Sequence, residues 1–173
     1  RVVGECPMQV LMMGYCNTAF TMGFQVFCES LSMNGGKGFI IPDLPFEECG
    51  QLFNHSLKFG LDPIMLCTPT NKKERLRKIC SQGRGFIYCV ARKGVTGEST
   101  VLEQSTEDFL MQCRQFTDLP PALGFGLSKP KELNMLQGKA EIAIVGTALL
   151  KTWENEGELA FKSHLNSLAD ARI

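Results

Sequence analysis

The sequence predicts an α/β fold in which parallel strands alternate with helices. Six short apolar runs recur along the chain, and most are continuous rather than alternating, as in strands buried on both faces. Amphipathic stretches, with apolar residues three and four positions apart, lie between them. Strands that alternate with helices form right-handed βαβ units, so the pattern fits either an open doubly wound sheet or a (β/α) barrel.

The predicted elements cover most of the chain. The strands are Val10–Tyr15, Gly38–Ile41, Pro63–Cys67, Gly85–Ala91, Ala122–Gly126 and Glu141–Gly146. The helices are Met22–Met33, Phe46–Phe59, Asn71–Cys80, Ser105–Phe116, Pro130–Gln137 and Glu158–Ala171, and a further helix opens after Gly146. No linker rich in Pro, Gly or Ser divides these elements, so residues 1–173 are predicted to be a single domain.

Local residue chemistry supports the helix boundaries. Glu47 and Glu48 suit a helix N-terminus, and Gly60 suits the end of the same helix. The basic run within Asn71–Cys80 resembles a nucleic-acid patch, but it is better explained as a solvated helix face. In that interpretation Leu76, Ile79 and Cys80 turn inward.

The composition excludes several classes of protein. The chain has 18 basic and 18 acidic residues, so it lacks the Lys/Arg excess of a nucleic-acid-binding surface. It is 44% hydrophobic and 21% charged, which is an ordinary globular mixture rather than that of a disordered chain. No apolar run reaches the roughly 18 to 20 residues that a membrane span needs.

Eight cysteines are spread singly along the chain, and several lie inside apolar runs. No two of them have the C-x-x-C spacing of zinc or thioredoxin-like sites. Disulfide-rich domains are also usually much smaller. The sequence therefore predicts reduced cysteines that fill the core, no metal site, and a reducing, cytoplasmic compartment.

Three loops after predicted strands carry the residues best suited to chemistry, because α/β proteins place their sites there. The first, residues 91–98, is long and contains two glycines, which is typical of a functional lid. The turns at Gly124–Gly126 and Gly146–Thr147 each precede a helix and can present backbone N–H groups to an anion. As two successive turns late in the chain they favour a (β/α) barrel, whose phosphate site lies after strands 7 and 8.

Three other polar residues have more than one interpretation each. Asp43 lies at a strand end between two prolines, where it could act as an acid or base, shape the turn or face a partner. Tyr15 and Tyr88 are the only tyrosines and lie at strands, where they could face a pocket or simply pack.

Several short motifs, in order along the chain, carry a resemblance to a known family. They are Met13–Asn17, Ile41–Glu48, Leu61–Ile64, Gly83–Tyr88, Gly94–Gly97, Leu119–Pro120 with Gly124–Gly126, and Val145–Leu149. With these motifs the chain resembles the α subunit of tryptophan synthase from about Val10 to its C-terminus. The Pro-Asp-Leu-Pro turn, the Gly-Val-Thr-Gly loop and the Gly-Phe-Gly turn are specific in combination.

That resemblance implies a TIM barrel that cleaves indole-3-glycerol phosphate by a retro-aldol reaction into indole and glyceraldehyde 3-phosphate. It implies a tryptophan synthase β subunit as partner, in an α–β heterotetramer, to which indole passes. The β subunit would hold pyridoxal phosphate, and this chain would hold no cofactor.

The resemblance also implies roles for individual residues. The substrate phosphate would be bound by Gly97, Gly126, Gly146 and Thr147. The indole pocket would be lined by Met13, Tyr15, Ile40, Leu66, Tyr88, Phe125 and Ile144. The lid would consist of Gly94, Val95, Thr96 and Gly97, and the β subunit would contact Asn17, Phe20, Asp43 and Pro45. Tyr88 and Thr96 would support catalysis at most.

The chain departs from the family pattern at a few positions. Cys16 and Thr18 stand where many members have Tyr and Pro, and Thr147 replaces a usual Ser but keeps the hydroxyl. The six predicted strands correspond to the family's strands three to eight, which is about six of eight βα units. The family's catalytic Glu and Asp belong to the preceding region, so no residue here is assigned to those roles.

The sequence therefore predicts the C-terminal portion of such an α subunit, inactive alone and, with an open barrel, loosely packed or prone to aggregation. Two alternatives stay open. One is another phosphate-binding barrel enzyme, and the other is a non-catalytic module that binds and activates a β-type partner.

Overall fold

The computed structural model describes residues 7–90, 104–124 and 126–171, and its strands all run parallel. The strands are β1 (Leu11–Met13), β2 (Gly38–Ile40), β3 (Asp62–Pro63), β4 (Met65–Cys67), β5 (Ile87–Val90), β6 (Pro121–Gly124) and β7 (Ile142–Ile144). They pair in sequence order, β1-β2-β3 and β4-β5-β6-β7. A doubly wound sheet reverses its strand order at a switch point. The unreversed order therefore confirms the barrel type of α/β fold, here incomplete.

Residues 62–67 connect the two ladders. The predicted single strand Pro63–Cys67 is wrong in this detail: β3 pairs with β2, whereas β4 pairs with β5. Pro63 has no N–H to donate, so the ladder with β2 is carried by its neighbours. The Asp62 amide donates to the Lys37 carbonyl, and the Ile64 amide donates to the Phe39 carbonyl, each at 2.9 Å. One extended segment thus contacts β2 through its first half and β5 through its second.

Helices follow every strand except β3, and two of them follow β1. They are α1 (Cys16–Met22), α2 (Phe24–Met33), α3 (Gly50–Lys58), α4 (Lys73–Gln82), α5 (Gln104–Arg114), α6 (Pro130–Asn134) and α7 (Thr147–Ala169), with a short 3-10 helix at Phe46–Glu48. In α4 the residues Leu76, Ile79 and Cys80 are buried and the basic residues face outward, which confirms the solvated-face interpretation.

Two glycines account for the main differences from the predicted helices. Gly23 has φ +81° and separates α1 from α2, so the predicted helix Met22–Met33 begins at Phe24 and a further helix precedes it. Gly157 has φ +83° inside α7 and kinks it, so the predicted Glu158–Ala171 is the second half of a longer helix. Both conformations are left-handed and favour glycine. The predicted Phe46–Phe59 is likewise divided, between the 3-10 helix and α3.

Two hydrophobic clusters lie between the strands and the helices. The first contains Phe27, Phe39 and Leu52, and the second contains Leu76, Ile87 and Leu123. The seven cysteines within the described residues are free thiols, and all except Cys16 are buried, which is the packing role the sequence predicts. Among the described helices, none is both long and apolar enough to cross a membrane.

We predict that Gly38→Ala destabilises the chain. A Cβ on Gly38 would lie 2.2 Å from the Asp62 backbone carbonyl oxygen, so β2 and β3 must separate. We expect the free energy of unfolding to fall by about 1–3 kcal/mol, the usual range for overpacking. Chemical denaturation measures it. Gly50→Ala is the matched control, since its Cβ meets no atom within 4 Å at the start of α3. Equal stability of the two variants would contradict the register.

Candidate functional site

Side chains along each strand alternate between the face that packs on the helices and the opposite, inner face of the sheet. Phe39, Cys67, Cys89 and Leu123 belong to the clusters beneath the helices. Because successive side chains point to opposite faces of a sheet, their neighbours along each strand point to the inner face.

Five residues predicted to line the indole pocket lie on this inner face. They are Met13, Ile40, Leu66, Tyr88 and Ile144. Met13 is the direct partner of Ile40, and Leu66 is the direct partner of Tyr88. The fold therefore brings these side chains to one surface, although Met13 is 58% exposed on β1. Tyr15, just beyond β1, is 70% exposed, so its place in a pocket stays a prediction.

Tyr88 packs over the end of β6. A Cβ on Gly124 would lie 2.4 Å from Tyr88 Cε2 and 2.7 Å from its hydroxyl oxygen. Gly124 therefore makes room for the tyrosine ring at the carboxyl edge of the strands. Burial raises the pKa of the Tyr88 hydroxyl, so it is a neutral group at physiological pH.

The two predicted phosphate turns lie side by side at the same edge. Gly124 and Ile144 are direct partners across β6 and β7, and Gly126 and Gly146 each follow two residues later. Gly126, Gly146 and Thr147 are all exposed. A Cβ on either glycine would meet no atom of the described residues within 4 Å, so none of those residues blocks either turn. No side chain in the described part of the chain caps the N-terminus of α7, which leaves its first backbone N–H groups for a ligand or solvent.

The backbone amides just before the helix at Pro130 already have a partner within the chain. The buried Glu132 carboxylate already accepts hydrogen bonds from the amides of Ser128 and Lys129, at 2.7 and 3.0 Å. The same oxygen, Oε2, also accepts from the Ser128 hydroxyl at 3.0 Å. The carboxylate would repel a second anion at the amides of Ser128 and Lys129. An anion could therefore bind at Gly126 but not at these two amides.

His164 also hydrogen-bonds to the segment after Gly126, at Ser128. Its Nε2 lies 2.7 Å from the Ser128 carbonyl oxygen, and its Nδ1 lies 2.8 Å from the Thr152 hydroxyl. A carbonyl only accepts, so Nε2 carries a proton. Thr152 and His164 belong to the two halves of the kinked α7, and the imidazole ties both halves to the residues after Gly126.

Sequence reasoning missed Glu132 and His164. A proline at the first helical position, followed by an acidic residue two positions on, is a signature of a helix N-terminus that could have indicated Glu132. His164 and Ser128 are 36 residues apart. No local pattern signals a contact over that separation.

A cavity of about 410 Å³ opens between the Pro42–Pro45 turn and the start of α4. Its lining includes Leu66, predicted for the pocket, together with Asp43 and Pro45, predicted for the partner interface. Asp43 Oδ1 accepts a hydrogen bond from the Cys16 amide at 2.8 Å, at the first turn of α1. A carboxylate suits a helix N-terminus, and this bond supports a structural role for Asp43.

The residues predicted to face a partner form an exposed group around α1. Asn17, Asp43 and Pro45 are exposed, and Phe20 is 70% exposed. The bond from Cys16 to Asp43 holds α1 against the Pro42–Pro45 turn, so these residues share one surface. The predicted lid residues Gly94, Val95, Thr96 and Gly97, and the pocket residue Phe125, lie outside the described residues.

Comparison with known proteins decides between the barrel families. The profile of the tryptophan synthase alpha chain family matches residues 3–171. The chain belongs to that family. It is 37% identical over 168 residues to the tryptophan synthase alpha chain of Syntrophotalea carbinolica, and 41% identical over 160 residues to that of Desulforapulum autotrophicum. These alignments cover 97% and 92% of this chain.

Solved structures of the family have the same fold. The chain matches tryptophan synthase from M. tuberculosis in its aminoacrylate-bound form with a TM-score of 0.87 and 26% identity, over 98% of this chain and 64% of that one. A second crystal form of the Mycobacterium tuberculosis enzyme matches with a TM-score of 0.86 and 29% identity, over 95% of this chain and 63% of that one. The chain spans 66% and 63% of the lengths of the two curated relatives, so it corresponds to somewhat less than two thirds of either one.

We predict that Glu132→Gln loosens the turn after Gly126. Gln can still turn its carbonyl oxygen toward the two backbone donors, but it removes the negative charge that strengthens these hydrogen bonds. We expect a loss of about 0.5–1.5 kcal/mol in the free energy of unfolding, the difference between hydrogen bonds to a charged and to a neutral acceptor. Thermal or chemical denaturation measures this. Glu154→Gln, at an exposed position of α7, is the control and should change little. Equal losses in the two variants would refute the role of Glu132.

Proposed function

We propose that this chain serves tryptophan biosynthesis as part of an α subunit that cleaves indole-3-glycerol phosphate to indole and glyceraldehyde 3-phosphate. The observation that carries the proposal is the pair of open glycine turns, beside an apolar inner face, in a chain of this family. Membership of the family disfavours other phosphate-binding barrels as alternatives.

The phosphate of the substrate would bind between Gly126 and Gly146. Both turns offer backbone N–H groups without a neighbouring Cβ, and the positive end of the long helix α7 favours an anion there. Thr147 would add its hydroxyl. His164 and Glu132 would act as positioning residues, since each fixes the backbone that follows Gly126.

The indole ring would lie against Ile40, Leu66, Tyr88 and Ile144. Their side chains share the inner face, and two of them lie next to the phosphate turns: Ile144 is two residues before Gly146, and Tyr88 packs over Gly124. An apolar wall beside an anion site is the arrangement that an apolar ring with an anionic tail requires. Phe125, between Gly124 and Gly126, would complete this wall.

The reaction breaks the carbon–carbon bond between the indole ring and the glycerol phosphate chain. Indole C3 must receive a proton, and the adjacent side-chain hydroxyl must lose one as it becomes the aldehyde. We assign neither proton transfer to a residue of this chain, which supplies binding and orientation. The reaction uses no cofactor held here, and pyridoxal phosphate would belong to the β subunit.

A β subunit would dock on the exposed surface of Asn17, Phe20, Asp43 and Pro45. Exposed aromatic and apolar side chains around a structured turn suit a protein interface. The same surface favours the second candidate function, a module that binds and activates a β-type partner without cleaving substrate. We place the protein in the cytoplasm, where cysteines such as these stay reduced.

We predict that Gly146→Ala weakens binding of indole-3-glycerol phosphate at least about tenfold, or about 1.4 kcal/mol. Its Cβ would enter the open space in front of the turn and meet no atom of the described protein, so the fold should be unaffected. Titration calorimetry measures the affinity, and circular dichroism checks the fold. Gly50→Ala is the control and should bind as the parent does. Unchanged affinity in Gly146→Ala would exclude this turn as the phosphate site.

Indole release separates the two candidate functions. The protein that carries this chain should release indole from indole-3-glycerol phosphate, and a β subunit should raise the rate. Stimulation of the β subunit with no indole from the phosphate ester would favour the non-catalytic module instead.

A further inference from the structure

Four cysteines from four different elements converge in the second hydrophobic cluster. Cys67 lies on β4, Cys89 on β5, Cys80 on α4 and Cys113 on α5. Each is at most 2% exposed. Cys67 and Cys89 are direct partners across the parallel ladder, and both face the helices that carry the other two.

Three of the four sulfur atoms have nearly the spacing of a tetrahedral metal site, and the fourth, that of Cys89, lies next to Cys113. Sγ of Cys67 lies 3.9 Å from Sγ of Cys80, and Sγ of Cys89 lies 3.9 Å from Sγ of Cys113. The sulfurs of Cys67, Cys80 and Cys113 all lie within 4.8 Å of one another. Zinc–sulfur bonds of about 2.3 Å in a tetrahedron place neighbouring sulfurs about 3.8 Å apart. Cys67, Cys80 and Cys113 therefore already form a compact group, and Cys89, which contacts this group through Cys113, would have to move toward the other two sulfurs to become the fourth ligand.

We propose that Cys67, Cys80, Cys89 and Cys113 form a structural site for a soft divalent cation, with Zn²⁺ as the best match. Four sulfur ligands and no carboxylate favour zinc over magnesium or calcium. Four protein ligands leave no open position for a water or substrate, so the ion would be structural rather than catalytic. It would join β4 and β5 to α4 and α5, behind the wall that carries Leu66 and Tyr88.

Arg114 lies close enough to Cys89 to act on it electrostatically, so positive charge is present near the four sulfurs.

No sequence signal predicts this site, since the cysteines have no C-x-x-C spacing. The competing explanation is that all four simply fill the core, as Cys28 does in the first cluster. Cys28 is fully buried but belongs to the other cluster, which makes it the matched control.

The experiment measures metal in the full chain expressed with Zn²⁺ in the medium and purified under a phosphine reductant. We expect about one zinc per chain. Expression with Co²⁺ in place of Zn²⁺ should produce the sulfur-to-cobalt charge-transfer and visible d–d bands of tetrahedral thiolate coordination. A wild-type chain with no bound zinc, or with cobalt but no such bands, overturns the proposal.

Variants then assign the ligands. Cys113→Ser and the more apolar Cys113→Ala should both lose the cobalt bands, whereas Cys28→Ser should keep them and the zinc content. Full metal content in either Cys113 variant, or loss of metal in Cys28→Ser, overturns the assignment. Should the Cys113 variants fail to fold, the metal content and bands of the wild-type chain and of Cys28→Ser still decide the question.

Discussion

The parallel ladder across residues 62–67 is the constraint on which the rest of the structure depends. Through Asp62 and Ile64 this segment bonds to β2, and from Met65 onward it bonds to β5. This segment thereby joins the ladder β1-β2-β3, which packs on the first hydrophobic cluster, to the ladder β4-β5-β6-β7, which packs on the second. Because register determines the face of every side chain, this shared segment also sets which residues point inward on both sides of it.

Two different surfaces follow from that register. On the helix side, alternate residues of the strands pack into the core, and there the thiols of Cys67, Cys80 and Cys113 meet, with Cys89 next to Cys113. On the inner side, their neighbours present an apolar surface that ends at two glycine turns. A ligand with an aromatic ring and a phosphate fits the inner side, whereas the helix side serves stability. Within each strand, therefore, the side chains that face inward are available to a ligand, and those that face the helices stabilise the fold.

The sequence predicts the order of elements and the parallel barrel type, because apolar runs and glycine turns are local signals. The residues expected on the inner face come instead from the resemblance to the family. It does not predict the division at Pro63, where pairing passes from β2 to β5, since pairing is a tertiary property. The breaks at Gly23 and Gly157 escape prediction because a glycine inside a helical pattern is often tolerated. The convergence of Cys67 with Cys113 and the bond of His164 to Ser128 join residues remote in sequence, so only the fold reveals them.

The phosphate site at the carboxyl edge of β6 and β7 is the central claim about function. A crystal structure of the chain with indole-3-glycerol phosphate bound tests it most directly. Phosphate oxygens within hydrogen-bond distance of the Gly126 and Gly146 backbone amides, with the indole ring against Tyr88 and Leu66, are the predicted result. A phosphate bound elsewhere, with both turns left to solvent, would contradict the account.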